Sequence, residues 1–154
     1  MHEADGKQAA VTAAATAATT AAARGPAGTT VLVVDDEQDI RDALRLILED
    51  AGYRVIEAEN GLRALERLRT EPEGMVVLLD YMMPVLDGAG VLGTVANDGA
   101  LARRHRYILM TAATKTFALA FAKLLGELGV PVVAKPFDLD RLVGMVAAAA
   151  ARLR

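Results

Sequence analysis

Polar side chains that can do chemistry follow short apolar segments at four places in this sequence. They are Asp35 and Asp36 after residues 31–34, Asp80 after residues 75–79, Thr111 after residues 107–110, and Lys135 after residues 130–134. Short apolar segments rich in β-branched residues are typical of central strands in a parallel sheet. Ligands bind at the carboxyl ends of such strands. The sequence therefore predicts that three acids, a hydroxyl and a lysine meet at one end of one sheet.

The three acids predict a site for a hard metal ion. Two ionised carboxylates about 4 Å apart repel by roughly 4 kcal/mol at an effective dielectric of 20. Asp35, Asp36 and Asp80 therefore need a proton or a cation between them, and Mg²⁺ prefers such oxygen ligands. A softer metal is not expected, since the chain has no cysteine. Its two histidines, His2 and His105, are expected to be exposed and uninvolved.

A carboxylate beside Mg²⁺ can also act as a nucleophile toward phosphorus and form an aspartyl phosphate. Such a transfer needs positioning and the neutralisation of charge on the phosphoryl oxygens. Lys135 supplies a second cation and Thr111 a hydroxyl donor in this interpretation. An acid at one strand end is often only a helix cap, and a single Thr or Lys there is usually solvated. The combination at four strand ends favours a phosphoryl site.

Composition limits the other functions. The 154 residues carry a net charge of −3, and scattered basic residues give no sign of nucleic-acid binding. No segment has the roughly 18 apolar residues of a membrane span. The absence of cysteine fits a cytoplasmic protein. Arg103, Arg104 and Arg106 surround His105, which is interpreted as a solvated loop, with a docking patch as the alternative.

The chain divides into a tail and one domain. Residues 1–28 are rich in alanine and threonine and end in the breaker segment 24–28, which predicts a flexible N-terminal tail. Residues 29–154 alternate between five strands and five helical patterns, with predicted caps at Asn60, Asp87 and Asp138. In the second helix Leu62, Leu65 and Leu68 are expected to point inward, and Phe117 to Leu128 mark the fourth. Right-handed crossovers then predict an α/β fold with helices on both faces of a parallel sheet.

Four motifs resemble those of the receiver domain of two-component response regulators, in particular its single-domain, chemotaxis-type members. They are VLVVDDE at 31–37, DYMMPVLDG at 80–88, MTA at 110–112 and AKPF at 134–137. The resemblance covers nearly all of residues 29–154. It implies a flavodoxin-like, doubly wound sheet of five strands in the order 2-1-3-4-5. It also implies a stand-alone phosphoacceptor in a phosphorelay, which is a signalling domain rather than an enzyme.

The resemblance also assigns roles to the site residues. Asp80 would accept phosphate from a histidine kinase or phosphotransfer protein. Mg²⁺ would be held by Asp36, by Asp80 and by the Met82 carbonyl, with Asp35 acting mostly through water. Thr111 would be the switch hydroxyl, and Lys135 would contact the phosphoryl group, next to a cis Lys135–Pro136 bond.

The sequence departs from the family pattern at Val132, where receivers commonly carry an aromatic residue that is coupled to the threonine. A pseudo-receiver, an interaction module that is never phosphorylated, is therefore the alternative. A Mg²⁺-dependent phosphohydrolase is disfavoured because Met82 stands where such enzymes have a second acid. Met82 and Ala113 also predict slow loss of the phosphate, since neither side chain can hold the attacking water. The downstream partner is not readable, and a homodimer through the fourth and fifth predicted helices is a further expectation.

Overall fold

The computed structural model describes residues 28–112 and 116–153. Five parallel strands form one sheet in the order β2-β1-β3-β4-β5. The strands are β1 (Thr30–Val34), β2 (Arg54–Ala58), β3 (Met75–Asp80), β4 (Arg106–Ala112) and β5 (Val132–Lys135). The predicted flavodoxin-like fold class and strand order are therefore confirmed. Every residue of β1 and of β3 is buried, as the continuous apolar segments predict for central strands.

The described part of the chain contains six helices, five between the strands and one after β5. They are α1 (Gln38–Asp50), α2 (Gly61–Thr70), α3 (Gly88–Ala96), α4 (Gly99–Arg104), α5 (Leu119–Leu128) and α6 (Leu139–Ala151). Side-chain oxygens of the predicted caps Asn60, Asp87 and Asp138 accept backbone N–H bonds at the starts of α2, α3 and α6. The fourth and fifth predicted helices correspond to α5 and α6.

Apolar side chains cover both faces of the sheet. On one face, alternate residues such as Val33 and Leu78 pack with Leu44 of α1 and Val143 of α6. On the other face, the remaining strand residues pack with the inward sides of α2, α3 and α5. This alternation follows from the two-residue period of a strand. Because both faces are covered, the open edge at the strand ends is the place where polar side chains can gather.

Several details of the sequence prediction were wrong. The chain has six described helices rather than five, because Asp98 caps the short helix α4 where a loop was expected. Leu62 is 53% exposed, since Ala64, Leu65 and Leu68 form the inward side of α2. Phe117 lies just before α5 rather than within it.

The predicted tail at residues 1–28 lies outside the described residues except for Gly28. Among the helices of the described part, none combines the length and apolar character that crossing a bilayer requires.

Candidate functional site

The strand ends bring the predicted site residues to one edge of the sheet. Asp35 follows β1 directly, Asp80 ends β3, Thr111 lies near the end of β4, and Lys135 ends β5. Register places Asp80 beside Met110, and Ala112 beside Lys135. The four neighbouring strands β1, β3, β4 and β5 therefore each contribute a polar residue at the same level of the sheet.

Carboxylate oxygens of Asp35, Asp36 and Asp80 all lie within 4.8 Å of one another. Asp35 and Asp80 are buried, whereas Asp36 is exposed, so the cluster is open to water on one side. This set fits Mg²⁺, which prefers oxygen ligands and keeps several waters in its octahedral shell. The predicted meeting of the three acids is thus observed, and the carboxylates are close enough to share a divalent cation.

Both oxygens of the Asp35 carboxylate have protein partners. The backbone N–H of Glu37 donates to Oδ1 at 2.9 Å, and the amine of Lys135 donates to Oδ2 at 2.9 Å. These bonds fix a fully buried carboxylate and leave it less free than Asp36 to ligate a metal directly. The arrangement is consistent with an indirect role of Asp35, through water.

Lys135 bridges the two buried acids. Its Nζ lies 2.9 Å from Oδ2 of Asp35 and 3.2 Å from Oδ1 of Asp80. Burial opposes the charged amine, but the hydrogen bond to Asp35 and the charges of both acids raise the pKa of Lys135 above its ordinary value. Burial, followed by repulsion from Asp35, raises the pKa of Asp80 to about 6 against the opposing effect of Lys135. Asp80 is therefore a buried carboxylate that depends on nearby cations for its charge.

A cleft of about 610 Å³ opens beside Asp80, with Thr111 and Lys135 in its wall. The rest of the wall is mainly apolar, including Leu44 of α1 and Phe137 after β5. Thr111 is 5% exposed, and its Oγ1 is buried without a hydrogen-bond partner among the described residues. An unsatisfied buried hydroxyl is costly. Its position in the wall of this cleft makes it an available donor to a group bound at Asp80.

The loop after β3 is held against the phosphoacceptor candidate by close backbone contacts. The N–H of Gly88 donates to the Tyr81 carbonyl at 2.9 Å. A Cβ at Gly88 would lie 2.7 Å from the carbonyl oxygen of Asp80, so this approach requires glycine. Within the loop the Met82 side chain is 62% exposed, and the ligand role of its carbonyl stays a prediction. Ala113, the other position linked to phosphate loss, lies outside the described residues.

Sequence reasoning missed Arg41, which supports the site from α1. Its guanidinium donates to the Asp35 carbonyl, to Glu57 and to Gln38, at 2.6, 2.9 and 2.6 Å. These bonds fix the backbone at the end of β1. Arg41 lies three residues before Leu44 on the buried side of the helix, and a charged residue at that position was the available signal.

The interpretation of His105 as exposed was wrong. The ring is fully buried, and its nitrogens lie 3.0 Å from the Met75 N–H nitrogen and 3.0 Å from the Leu68 carbonyl oxygen. His105 is therefore a structural residue at the opposite end of the sheet from the acids. The cis Lys135–Pro136 bond, in contrast, is present as expected.

Comparisons with known proteins agree with this geometry. The family model of the response regulator receiver domain matches residues 31–147. Sporulation initiation phosphotransferase F of Bacillus subtilis is 35% identical over 112 residues, which cover 73% of this chain and 86% of that protein. Response regulator GtcR of Aneurinibacillus migulanus is 39% identical over 69 residues, but the match spans only 28% of its length.

Solved structures of receiver domains also resemble this chain. A CheY-like receiver domain from Methanospirillum hungatei has a TM-score of 0.70 and 30% identity, with 80% of this chain and 94% of that chain covered. The receiver domain of the Francisella response regulator 1452 has a TM-score of 0.69 and 27% identity, with 81% and 98% covered. The chain therefore belongs to the response regulator receiver domain family, whose members are signalling domains of two-component phosphorelays.

Proposed function

We propose that Asp80 accepts a phosphoryl group and that the acids and Lys135 around it make this transfer possible. The observation that carries the proposal is the contact of Lys135 Nζ with both Asp35 and Asp80, inside a cluster that also contains Asp36. A buried carboxylate with cationic support and an open cleft beside it suits an in-line attack on phosphorus.

The donor is a phosphohistidine of a histidine kinase or phosphotransfer protein, the partners of the receiver family. An oxygen of the Asp80 carboxylate attacks the phosphorus and forms an O–P bond as the P–N bond breaks. The electron pair of the broken bond leaves with the imidazole nitrogen, which then takes a proton from water. Loss of the phosphate is a separate hydrolysis. A water oxygen attacks the phosphorus and gives a proton to solvent, the bond between phosphorus and the Asp80 oxygen breaks with its electron pair returning to the carboxylate, and inorganic phosphate is released.

Asp36 and Asp80 would hold Mg²⁺ directly, with the Met82 carbonyl as a further ligand and Asp35 acting through water. The bound ion would neutralise charge on the phosphoryl oxygens during the transfer. Lys135 would pair with another of these oxygens, because its amine already lies 3.2 Å from the attacking carboxylate. The Thr111 hydroxyl would donate to a third, which would satisfy the Oγ1 that has no described partner.

Phosphorylation would change contacts to a downstream protein or to a second copy of this chain through α5 and α6. The apolar side chains on this side support the proposal, because Leu119 is 86% exposed and Val132 is 39% exposed. Sedimentation of the chain before and after phosphorylation tests the homodimer, and an unchanged sedimentation coefficient would leave only the heterologous partner.

A small phosphodonor tests the proposal directly. Acetyl phosphate and Mg²⁺ are added to the full chain, and the product is followed by intact-mass spectrometry. We expect an adduct of one phosphoryl group that is lost in Asp80→Asn and greatly slowed when a chelator removes Mg²⁺. Asp138→Asn is the matched control, because Asp138 is a helix cap outside the site and asparagine caps equally well.

The outcome separates the competing functions. A pseudo-receiver would form no adduct under any condition. A phosphohydrolase would consume the donor catalytically without accumulating phosphoprotein. An adduct that survives in Asp80→Asn would show that another residue is the acceptor and would refute the assignment.

A further inference from the structure

Three aromatic rings make a closed set of contacts beside Asp80, and we call them the aromatic triangle: Tyr81, Phe117 and Phe121. The ring centroid of Tyr81 lies 5.1 Å from that of Phe117 and 5.6 Å from that of Phe121. The centroids of the two phenylalanine rings are 5.2 Å apart. The tilted and edge-to-face geometries are the favourable ones, and such pairs contribute about 0.5–1.5 kcal/mol each beyond area burial. The triangle therefore joins the residue after β3 to the start of α5.

The backbone of Tyr81 is fixed to the phosphoacceptor strand and its neighbour. Its N–H donates to the Met110 carbonyl at 2.8 Å, and its carbonyl accepts from Gly88 at 2.9 Å. Tyr81 also follows Asp80 directly in the chain. A displacement at Asp80 or at the end of β4 would therefore reach the backbone that carries the Tyr81 ring.

The N-terminal half of α5 is otherwise weakly attached. Within Leu119–Leu128, all of which is described, only Leu125 is buried. Ala118 at the cap position makes no side-chain hydrogen bond, and the first turn has no acid to favour the helix dipole. Phe117 and Phe121 thus provide the main apolar contacts that hold this end of α5 to the domain.

Two routes from the phosphoryl site reach the triangle. Asp80 is adjacent to Tyr81 in the chain, and the Tyr81 N–H donates to the carbonyl of Met110, the residue before Thr111. On β5 the side chain at position 132 is a valine that is 39% exposed, so no ring connects Thr111 to the surface at that position. The described aromatic contacts near the site run through α5 instead.

We propose that the aromatic triangle is the positioning device that sets the N-terminal half of α5 when Asp80 is phosphorylated. This inference rests on the proposed function of Asp80. The added phosphoryl group enlarges the side chain at the end of β3 and draws the Thr111 hydroxyl toward it. Tyr81 and Phe117 then shift relative to each other, and Phe121 carries the change into the helix.

A single spectroscopic probe tests this proposal, because the chain has no native cysteine. Leu119→Cys introduces one thiol at a position that is 86% exposed, and a nitroxide attached there reports the mobility of α5. Spectra are recorded before and after acetyl phosphate and Mg²⁺ are added, and mass spectrometry of the same samples gives the extent of phosphorylation. We expect the line shape to change with phosphorylation in this parent protein.

Removal of a ring from the aromatic triangle should abolish the change in the nitroxide line shape without reducing the extent of phosphorylation. Tyr81→Leu and Phe121→Leu are expected to be phosphorylated to the parental extent and to lose most of the line-shape change. Tyr81→Phe keeps the ring and should keep the response. Tyr53→Leu is the matched control, because it removes a ring buried on the other face of the sheet and should also respond like the parent.

A second measurement does not depend on how the leucine variants fold. The chain has three tyrosines, so 3-fluorotyrosine labelling gives three ¹⁹F resonances, with Tyr81 assigned from Tyr81→Phe. Phosphorylation should shift the Tyr81 resonance most. The inference is overturned if the leucine variants respond like the parent, or if the phosphorylated parent shows no change at either probe. A parent that gains no phosphoryl group would instead contradict the proposed function.

Discussion

The protonation of His105 links the stability of this domain to pH in a way that can be measured. The Met75 amide can only donate a hydrogen bond, so Nδ1 of His105 accepts from it at 3.0 Å and carries no proton. The ring is therefore neutral, with the proton on Nε2 and directed to the Leu68 carbonyl, 3.0 Å away. Protonation of Nδ1 would place two N–H groups face to face at the start of β3.

Burial lowers the pKa of His105, and the charge of Arg104 adds to this effect against the opposing hydrogen bond to Leu68. In the unfolded chain the pKa returns to about 6.5. Below that pH the unfolded chain binds more protons than the folded one, so the stabilisation present above about pH 6.5 is lost as the pH falls toward the folded value. The slope from one such group approaches about 1.4 kcal/mol per pH unit.

Substitution by a neutral side chain should remove this slope. His105→Asn places a carbonyl oxygen near Nδ1 and keeps an acceptor for Met75, but it leaves the Leu68 carbonyl without a donor. We expect a cost of about 1–3 kcal/mol at pH 8 for the one orphaned group. His105→Ala orphans both partners and leaves a cavity, so its cost should be at least about twice as large.

Urea unfolding followed by circular dichroism between pH 5 and pH 8 provides the assay. The difference in unfolding free energy between the parent and His105→Asn should shrink as the pH falls below about 6.5. Other titrating groups are common to both proteins and cancel in this difference. Parallel curves over the whole range would refute a neutral, buried His105.

Four further substitutions test the loop after Asp80 and the helix that follows it. Met82→Asn supplies an amide that can hold the attacking water, so loss of the radiolabelled phosphate should become several-fold faster, and an unchanged rate would exclude a role of this position. Gly88→Ala would force a Cβ to 2.7 Å from the carbonyl oxygen of Asp80 and should cost about 1–3 kcal/mol in urea unfolding. Gly93→Ala in the same helix meets no atom within 4 Å and should instead stabilise by up to about 1 kcal/mol, and effects of the same sign would contradict the contact. Val85 has φ 73° and is 71% exposed, so Val85→Asn should raise the unfolding free energy by about 1 kcal/mol, and no gain would argue against backbone strain there.

The site was predictable because its residues stand at abrupt changes in hydrophobicity. The segment ending at Asp80 is buried throughout, and a parallel sheet places the ends of its strands at one edge. Asp35 and Lys135 contact each other although they are far apart in the sequence. Their separation of 100 residues is bridged by the parallel sheet, which the alternation of strands and helices predicted, and by its strand order, which the family resemblance implied.

The sequence predictions failed for residues whose burial is decided by contacts that are distant in the sequence. His105 binds Leu68 and Met75, which are 37 and 30 residues away, and three nearby arginines gave the opposite local signal. Arg41 is buried because Glu57 and the Asp35 carbonyl satisfy its guanidinium, and neither contact has a local pattern. Local chemistry was also overlooked in one case, since the carboxylate of Asp98 caps α4 through two backbone N–H groups.

Strand β5 has a consequence for how often the site is intact. It is four residues long, lies at the edge of the sheet and pairs only with β4, and Val132 and Ala134 are exposed. Local opening of such a segment requires less free energy than global unfolding. Its amide hydrogens should therefore exchange with deuterium before those of β1. During each opening Lys135 would move away from the carboxylates. The fraction of molecules that can accept a phosphate should therefore equal the fraction in which β5 is paired with β4.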